Sequence, residues 1–286
     1  MGMREFFLRK NSKRAQSRVE DLQRERENIL SSNSSFYVTE AYKMMRTNVL
    51  FSLAGKQTCS VLAVTSPFQH EGKSITSLNL AISMAESDKR VLLVDCDLRK
   101  PKTARLLNVS SQIGLSNVLI DPAQLSEAIM HIKELKIDVL LSGSVPPNPS
   151  ELLISQSMTE ILETLKQQYD FIILDTPPVN VVADAVGLTP NVDGFLLVVR
   201  SGESDRIAVS HALTQLAYAK ARVFGYVLNG VQLQKTTYGR YSRYGRYGRY
   251  GRYGRYGRYG RYGNYSYYYG SSYAHPEKKD GGDSAK

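Results

Sequence analysis

Residues 60–76 read SVLAVTSPFQHEGKSIT. An unbroken apolar run, 60–65, enters a turn, and the turn opens into helical spacing that continues to about residue 87. A short continuous apolar run is what a strand buried on both faces of a parallel sheet requires. Gly72, Lys73 and Ser74 match the end of a phosphate-binding loop. In such a loop, backbone N–H groups at a helix start face the phosphates, the lysine reaches the β/γ oxygens and the hydroxyl ligates Mg²⁺. The full pattern G-x-x-x-x-G-K-[ST] needs a glycine where Pro67 stands. The three residues alone therefore also fit an ordinary strand-to-helix turn with a surface lysine.

Further along, similar runs recur: VLLVD (91–95), DVLLSG (138–143), FIILD (171–175), FLLVVR (195–200) and VFGYVLN (223–229). Helix candidates lie between them at 74–87, 126–135, 151–168 and 205–219. Strand and helix alternating in this way predict an α/β domain with a largely parallel sheet flanked by helices, and the phosphate-loop match adds the P-loop NTPase type. Ahead of the first strand, TEAYKMMRTNVLFSL (39–53) has helical periodicity. Ala41, Met44, Met45, Val49 and Leu53 are available for its buried side, and Thr39 for its N-cap. Residues 1–36 read as a polar N-terminal extension ending in SSNSS, residues 37–234 as the domain, and 235–286 as a disordered tail.

The acidic residues strengthen the phosphate-loop reading. Asp95 and Asp97 follow the second run, and their i, i+2 spacing directs both carboxylates to one side of a strand end. Asp175 closes the fourth run, where P-loop enzymes place a magnesium-side carboxylate. Taken singly, each fits a solvated loop after a strand. Three strand-end signals in the expected order point to a nucleotide-binding protein. Cys96, between the first two aspartates, reads as a small spacer.

Composition locates the charge. The chain of 286 residues has 37 basic and 27 acidic residues, a net charge of +10. Eight of the arginines, and no acidic residue, fall between Tyr238 and Tyr273, leaving 29 basic against 27 acidic elsewhere, or +2. The same segment holds 14 of the 19 tyrosines: Tyr238, Tyr241, Tyr244, Tyr247, Tyr250, Tyr253, Tyr256, Tyr259, Tyr262, Tyr265, Tyr267, Tyr268, Tyr269 and Tyr273. Glycine at nearly every third place raises the entropy cost of ordering it. Cys59 and Cys96 have no metal-ligand spacing and suggest no disulfide framework, as in a reducing cytosol. No apolar run approaches the roughly 20 residues of a membrane helix, and MGMREFFLRK lacks a signal-peptide core.

Together, VLLVDCDLRKP (91–101), GSVPPNPSELL (143–153), FIILDTPP (171–178) and TEAYKMMRTNVLFS (39–52) resemble the cytoplasmic bacterial tyrosine kinases of capsule and exopolysaccharide production. The resemblance spans about residues 37–230, and a C-terminal tyrosine cluster is that family's other hallmark. It implies a fold shared with partition and cell-division ATPases, with the γ-phosphate of ATP passed to tyrosine. It places Glu71, Gly72, Lys73, Ser74 and Ile75 around the phosphates and Asn229 at the adenine. Ser74, Asp95, Asp97 and Asp175 would organise Mg²⁺, with Asp95 as base for the tyrosine hydroxyl, whose free pKa is about 10. The tail tyrosines become autophosphorylation sites, reached in trans.

Glu40, Lys43 and Arg46 match the family's E-x-x-R-x-x-R helix motif for ring-shaped self-association, with lysine for the first arginine. That lysine cannot form the same bidentate fork, and a solvated charged face fits the spacing too. The implied partners are an activating membrane adaptor of the polysaccharide co-polymerase type and a tyrosine phosphatase. The implied location is the cytoplasm, peripheral at the inner membrane face through the adaptor.

Departures are local. Gln69 and His70 stand where the family commonly has Pro-Gly, so histidine carries strain if that position needs φ > 0. Phe68 replaces the extra loop lysine of the partition ATPases, and no paired cysteines of an iron–sulfur carrier exist. The competing reading is a partition-type ATPase whose Tyr/Arg tail stacks on nucleic acid. The aspartate triad favours the kinase, and nucleic acid is not an expected partner. A collagen-like repeat fails for lack of proline. Each added phosphate brings about −1.5 to −2 charges, so roughly six would cancel the +10.

Overall fold

The computed structural model describes residues 22–56 and 58–231. The expected tail, 235–286, with all its tyrosines, lies outside the described residues, as do residues 1–21 of the expected extension. The apolar runs form a single sheet: β1 (Ser60–Thr65), β2 (Val91–Asp95), β3 (Ile129–Ile132), β4 (Ile137–Leu140), β5 (Phe171–Asp175), β6 (Gly194–Arg200) and β7 (Val223–Asn229). Their order is β3-β4-β2-β5-β1-β6-β7. Every pair is parallel except β3–β4.

The two-residue alternation of a strand divides its apolar run between two cores. Val61 and Ala63, Leu92 and Val94, Ile172 and Leu174, and Phe195 and Leu197 face one side. Met158, Ile161, Leu162 and Leu165 of the Gln156–Lys166 helix and Ala212 and Leu216 of the Arg206–Tyr218 helix cover it. Leu62 and Val64, Val91 and Leu93, Phe171 and Ile173, and Leu196 and Val198 face the other side, under Leu78, Ile82 and Met84 of the Lys73–Ala85 helix. Burying one such side chain contributes about 1.5–3 kcal/mol.

Chain order puts β2 and β4 on one side of β1 and β6 and β7 on the other, with β5 between β1 and β2. The carboxyl ends of β1, β2 and β5 therefore meet at a topological switch point, where open α/β sheets bind ligands.

Four local expectations change. The helix expected over 126–135 is helical only over Leu125–Ala128, and β3 replaces the rest as an antiparallel edge strand. β-Branched Ile129 and Ile132 pair with Leu140 and Ile137, and Lys136 takes the left-handed turn at φ 56°. The helix expected over 151–168 is two, Pro149–Leu153 and Gln156–Lys166, because Ser155 adopts extended geometry and caps Met158 N. The first long helix, Phe36–Ser52, is capped by Ser35 rather than Thr39. Its inward side carries Tyr42, Met45, Val49 and Leu53, with Ala41 and Met44 exposed. Residues 22–30, read as extension, pack on the body: Leu30 is buried and its N–H donates to Asn79 Oδ1 at 2.8 Å.

Candidate active site

The turn after β1 is tied down almost atom by atom. Phe68 N–H donates to Glu71 Oε2 at 2.9 Å, and the Ser204 hydroxyl donates to Glu71 Oε1. Arg200 Nη1 donates to the His70 carbonyl at 2.9 Å, and Asn229 Nδ2 to the Glu71 carbonyl at 3.0 Å. His70 lies at φ 67° and Gly72 at φ 90°. The position occupied by His70 does require the left-handed region, where histidine is tolerated better than most residues. Gly72 has a second constraint: a Cβ there would lie 1.9 Å from Asn229 Nδ2. Gly72 is the N-cap of the Lys73–Ala85 helix, so the loop delivers Lys73 and Ser74 to a helix N-terminus, the positive end of its dipole. Ile75 is half-buried on the first turn.

Beside the loop, β2 and β5 bring the three aspartates together. Lys73 Nζ lies 2.9 Å from Asp97 Oδ2, 3.8 Å from Asp175 Oδ1 and 3.4 Å from Ser74 Oγ. Asp95 is fully buried and accepts from Asp97 N–H at 3.1 Å and Thr103 N–H at 3.2 Å. Burial, with the Asp175 charge next, pushes its pKa from 3.8 up to about 7. Burial also raises Asp175, against the opposing pull of Lys73. For Lys73, burial acts to lower the pKa, but Asp175 and Asp97 together outweigh it and hold the ammonium above its ordinary range. Asp175 Oδ1 accepts from Ser77 Oγ at 3.3 Å, while Oδ2 is buried with no hydrogen-bond partner.

One ammonium thus faces three carboxylates, an excess of negative charge in a buried site. Among the described residues no group of three or more His, Cys, Asp or Glu closes into a metal cage. Such a site suits Mg²⁺, which keeps waters and phosphate oxygens and takes only one or two carboxylates. The orphaned Asp175 Oδ2 and the Ser74 hydroxyl are the donors that fit it.

Comparison with known proteins gives this geometry its place. An AAA-domain family model matches residues 69–204. Tyrosine-protein kinase YwqD of Bacillus subtilis is 40% identical over 204 residues, covering 71% of this chain and 86% of that protein. The chain belongs to the bacterial tyrosine-protein kinases. Tyrosine-protein kinase CpsD of Streptococcus agalactiae is 37% identical over 203 residues, covering 71% of this chain and 87% of the relative. The solved kinase domain of Escherichia coli tyrosine kinase ETK superposes with a TM-score of 0.67 at 36% identity, covering 70% of this chain and 78% of that one. The septum site-determining protein MinD of Pyrococcus horikoshii, solved with Mg-ADP, shares the fold alone, at 24% identity and a TM-score of 0.53 over 62% of this chain and 72% of that one.

In this kinase the loop and aspartate residues singled out from sequence converge, and Asn229 joins them from the end of β7. The Glu40–Lys43–Arg46 set does not present one face. Glu40 and Lys43 form a half-exposed pair at 2.9 Å, whereas Arg46 turns inward to the Ser83 carbonyl. Sequence reasoning missed a further buried carboxylate. Asp184, fully buried, receives Arg99 Nε at 2.9 Å and Nη2 at 3.1 Å, and the Ser150 hydroxyl at 2.6 Å. This network ties the segment after Asp97 to the Pro149–Leu153 helix. The arginine of DCDLR was the only available signal, since nothing near Asp184 in sequence marks its partner. Among the described residues, no helix is long and apolar enough to cross a membrane.

Proposed function

We propose that this kinase binds Mg²⁺-ATP at the β1–β2–β5 site and passes the γ-phosphate to its own C-terminal tyrosines, between subunits. The observation that carries the reading is the buried Lys73 among Asp95, Asp97 and Asp175, with one carboxylate oxygen of Asp175 lacking a partner. Glu71, Gly72 and Ile75 shape the loop. The Lys73 ammonium exchanges its carboxylate contacts for phosphate oxygens. Ser74 and Asp175, with Asp97, would hold Mg²⁺, which when bound neutralises charge on the β- and γ-phosphates.

Asp95 accepts the proton of the incoming tyrosine hydroxyl. A carboxyl with a pKa of about 7 is matched to base catalysis near neutral pH. The phenolic oxygen forms a bond to the γ-phosphorus, the bond from that phosphorus to the bridging oxygen breaks, and ADP leaves with the electron pair. On this reading residues 37–234 are the kinase domain, against which residues 22–30 pack, and 235–286 carry the acceptor tyrosines. A chimerical protein, CapA2B2, is also similar, 31% identical with a TM-score of 0.66 over 70% of this chain and 88% of that one. From the family resemblance we further read an activating membrane adaptor at the inner membrane face in polysaccharide synthesis, a phosphatase that reverses the modification, and a ring interface reached by Glu40 and Lys43, with Arg46 of the same motif turned inward to the Ser83 carbonyl.

The test is phosphopeptide mass spectrometry of the full chain after incubation with Mg²⁺-ATP, with and without an adaptor cytoplasmic segment, against Lys73→Ala. Phosphate on tyrosines of 238–273, absent from the variant, is the expected result. Nucleotide binding without modified tyrosine, adaptor included, would sink the autophosphorylation reading.

A further inference from the structure

Asn229 sits, by family resemblance, where adenine is read. Its amide is already engaged at both ends: Nδ2 donates to the Glu71 carbonyl at 3.0 Å, and Oδ1 accepts from Gly230 N–H at 2.8 Å. On the neighbouring strand, in register with Asn229, stands Arg200, whose Nη1 donates to the His70 carbonyl at 2.9 Å. Two successive loop carbonyls are therefore tied by two side chains from the carboxyl ends of β6 and β7.

The peptide geometry gives this a consequence. In a planar trans peptide the carbonyl and the following N–H point in opposite directions. Tying the His70 carbonyl to Arg200 turns the Glu71 N–H away from β6, and tying the Glu71 carbonyl to Asn229 turns the Gly72 N–H away from β7. With His70 at φ 67° and Gly72 at φ 90°, these N–H groups belong to a turn of the kind that forms anion-binding concavities. The Ser204–Glu71 bond anchors the same loop through a side chain.

We propose that Asn229 and Arg200 are positioning residues of the phosphate loop, aiming its N–H groups at the nucleotide phosphates, so that Asn229 serves the phosphates through the loop. This rests on the Mg²⁺-ATP reading of the site.

The experiment is calorimetric binding of Mg²⁺-ATP, Mg²⁺-GTP and Mg²⁺-tripolyphosphate to the full chain, wild type, Asn229→Ala and Arg200→Met. Tripolyphosphate has no base, so it isolates the phosphate contribution. Each variant is expected to weaken every ligand that wild type binds by a similar factor, about 3- to 10-fold for one net hydrogen bond, with only a small fall in the melting temperature of the ligand-free protein. In tyrosine phosphorylation KM for ATP rises with kcat little altered. Ser204→Ala, which removes the Glu71 anchor and the hydroxyl that accepts from Arg200 N–H at 2.7 Å, gives the same base-independent loss if Asn229→Ala folds poorly. A loss confined to ATP, with tripolyphosphate unaffected, makes Asn229 a base reader and overturns the proposal, as does unchanged binding of all three. If wild type binds none of them, the nucleotide reading itself fails.

Discussion

On its β2–β5 side the phosphate loop meets three buried carboxylates and a single buried ammonium; on its β6–β7 side it meets an amide, a hydroxyl and a guanidinium. The first side leaves Asp175 Oδ2 unpartnered and Asp95 with a raised pKa. On the second, the Asn229 amide is engaged at both ends, and Ser204 and Arg200 each donate a hydrogen bond to the loop. Buried charge without a matching partner is expensive, whereas a satisfied hydrogen-bond network rigidifies what it touches. One side is thus completed by a ligand and the other is complete in itself, which is how a site combines chemical reactivity with a fixed cradle.

Lys73→Ala breaks that contrast most severely, since it removes the buried ammonium that faces Asp97 and Asp175. Tyrosine transfer should fall by about 10²-fold or more, consistent with loss of a principal electrostatic contact. Thermal unfolding should show a loss of about 3–5 kcal/mol for an unpaired buried charge, unless the carboxylates take up protons to relieve it. Wild-type turnover in this variant would remove Lys73 from the reaction.

Asp95→Asn sharpens the contrast through pH. The folded carboxyl titrates at about 7 against 3.8 in the reference state, so between these values the native protein binds the extra proton. Stability attributable to Asp95 therefore declines as pH rises from about 4 to 7 and is level above that. The ligand-free Asn variant should gain on wild type across this window, by at most about 4 kcal/mol at about 1.4 per unit. Melting curves at pH 5 and pH 8 whose difference does not change would contradict the raised pKa.

Arg99→Ala tests whether the charged side has its own support. Asp184 would lose its guanidinium while buried, but Arg99 is 38% exposed, so screening reduces the cost to about 1–3 kcal/mol. Arg99→Lys should recover only part of this, because lysine cannot reproduce the two-nitrogen contact. Full recovery would mean charge alone matters there. Glu40→Ala should do least: a half-exposed pair contributes under about 0.5 kcal/mol. Sedimentation of the variant, unchanged in stability, would report whether this pair holds copies together; an unaltered oligomer distribution removes it from the interface.

The sequence by itself determined the parallel strands, the loop and the carboxylates that end β2 and β5, because each is written in contiguous residues. An apolar run long enough for a buried strand is local information, and so is an aspartate at its end. The left-handed conformation at His70 stood only as a condition, raised by the glycine that the resembled family commonly carries there, and the fold decided it. Only the tertiary structure decided that 129–132 would leave a helix to pair with β4, and that Ser155 would split a helix in two. It alone brought Asp184 to Arg99 across 85 positions of chain, and turned the Asn229 and Arg200 side chains onto the phosphate loop. These outcomes depend on partners distant in sequence, whose hydrogen bonds and burial offset local propensity only after the sheet has assembled.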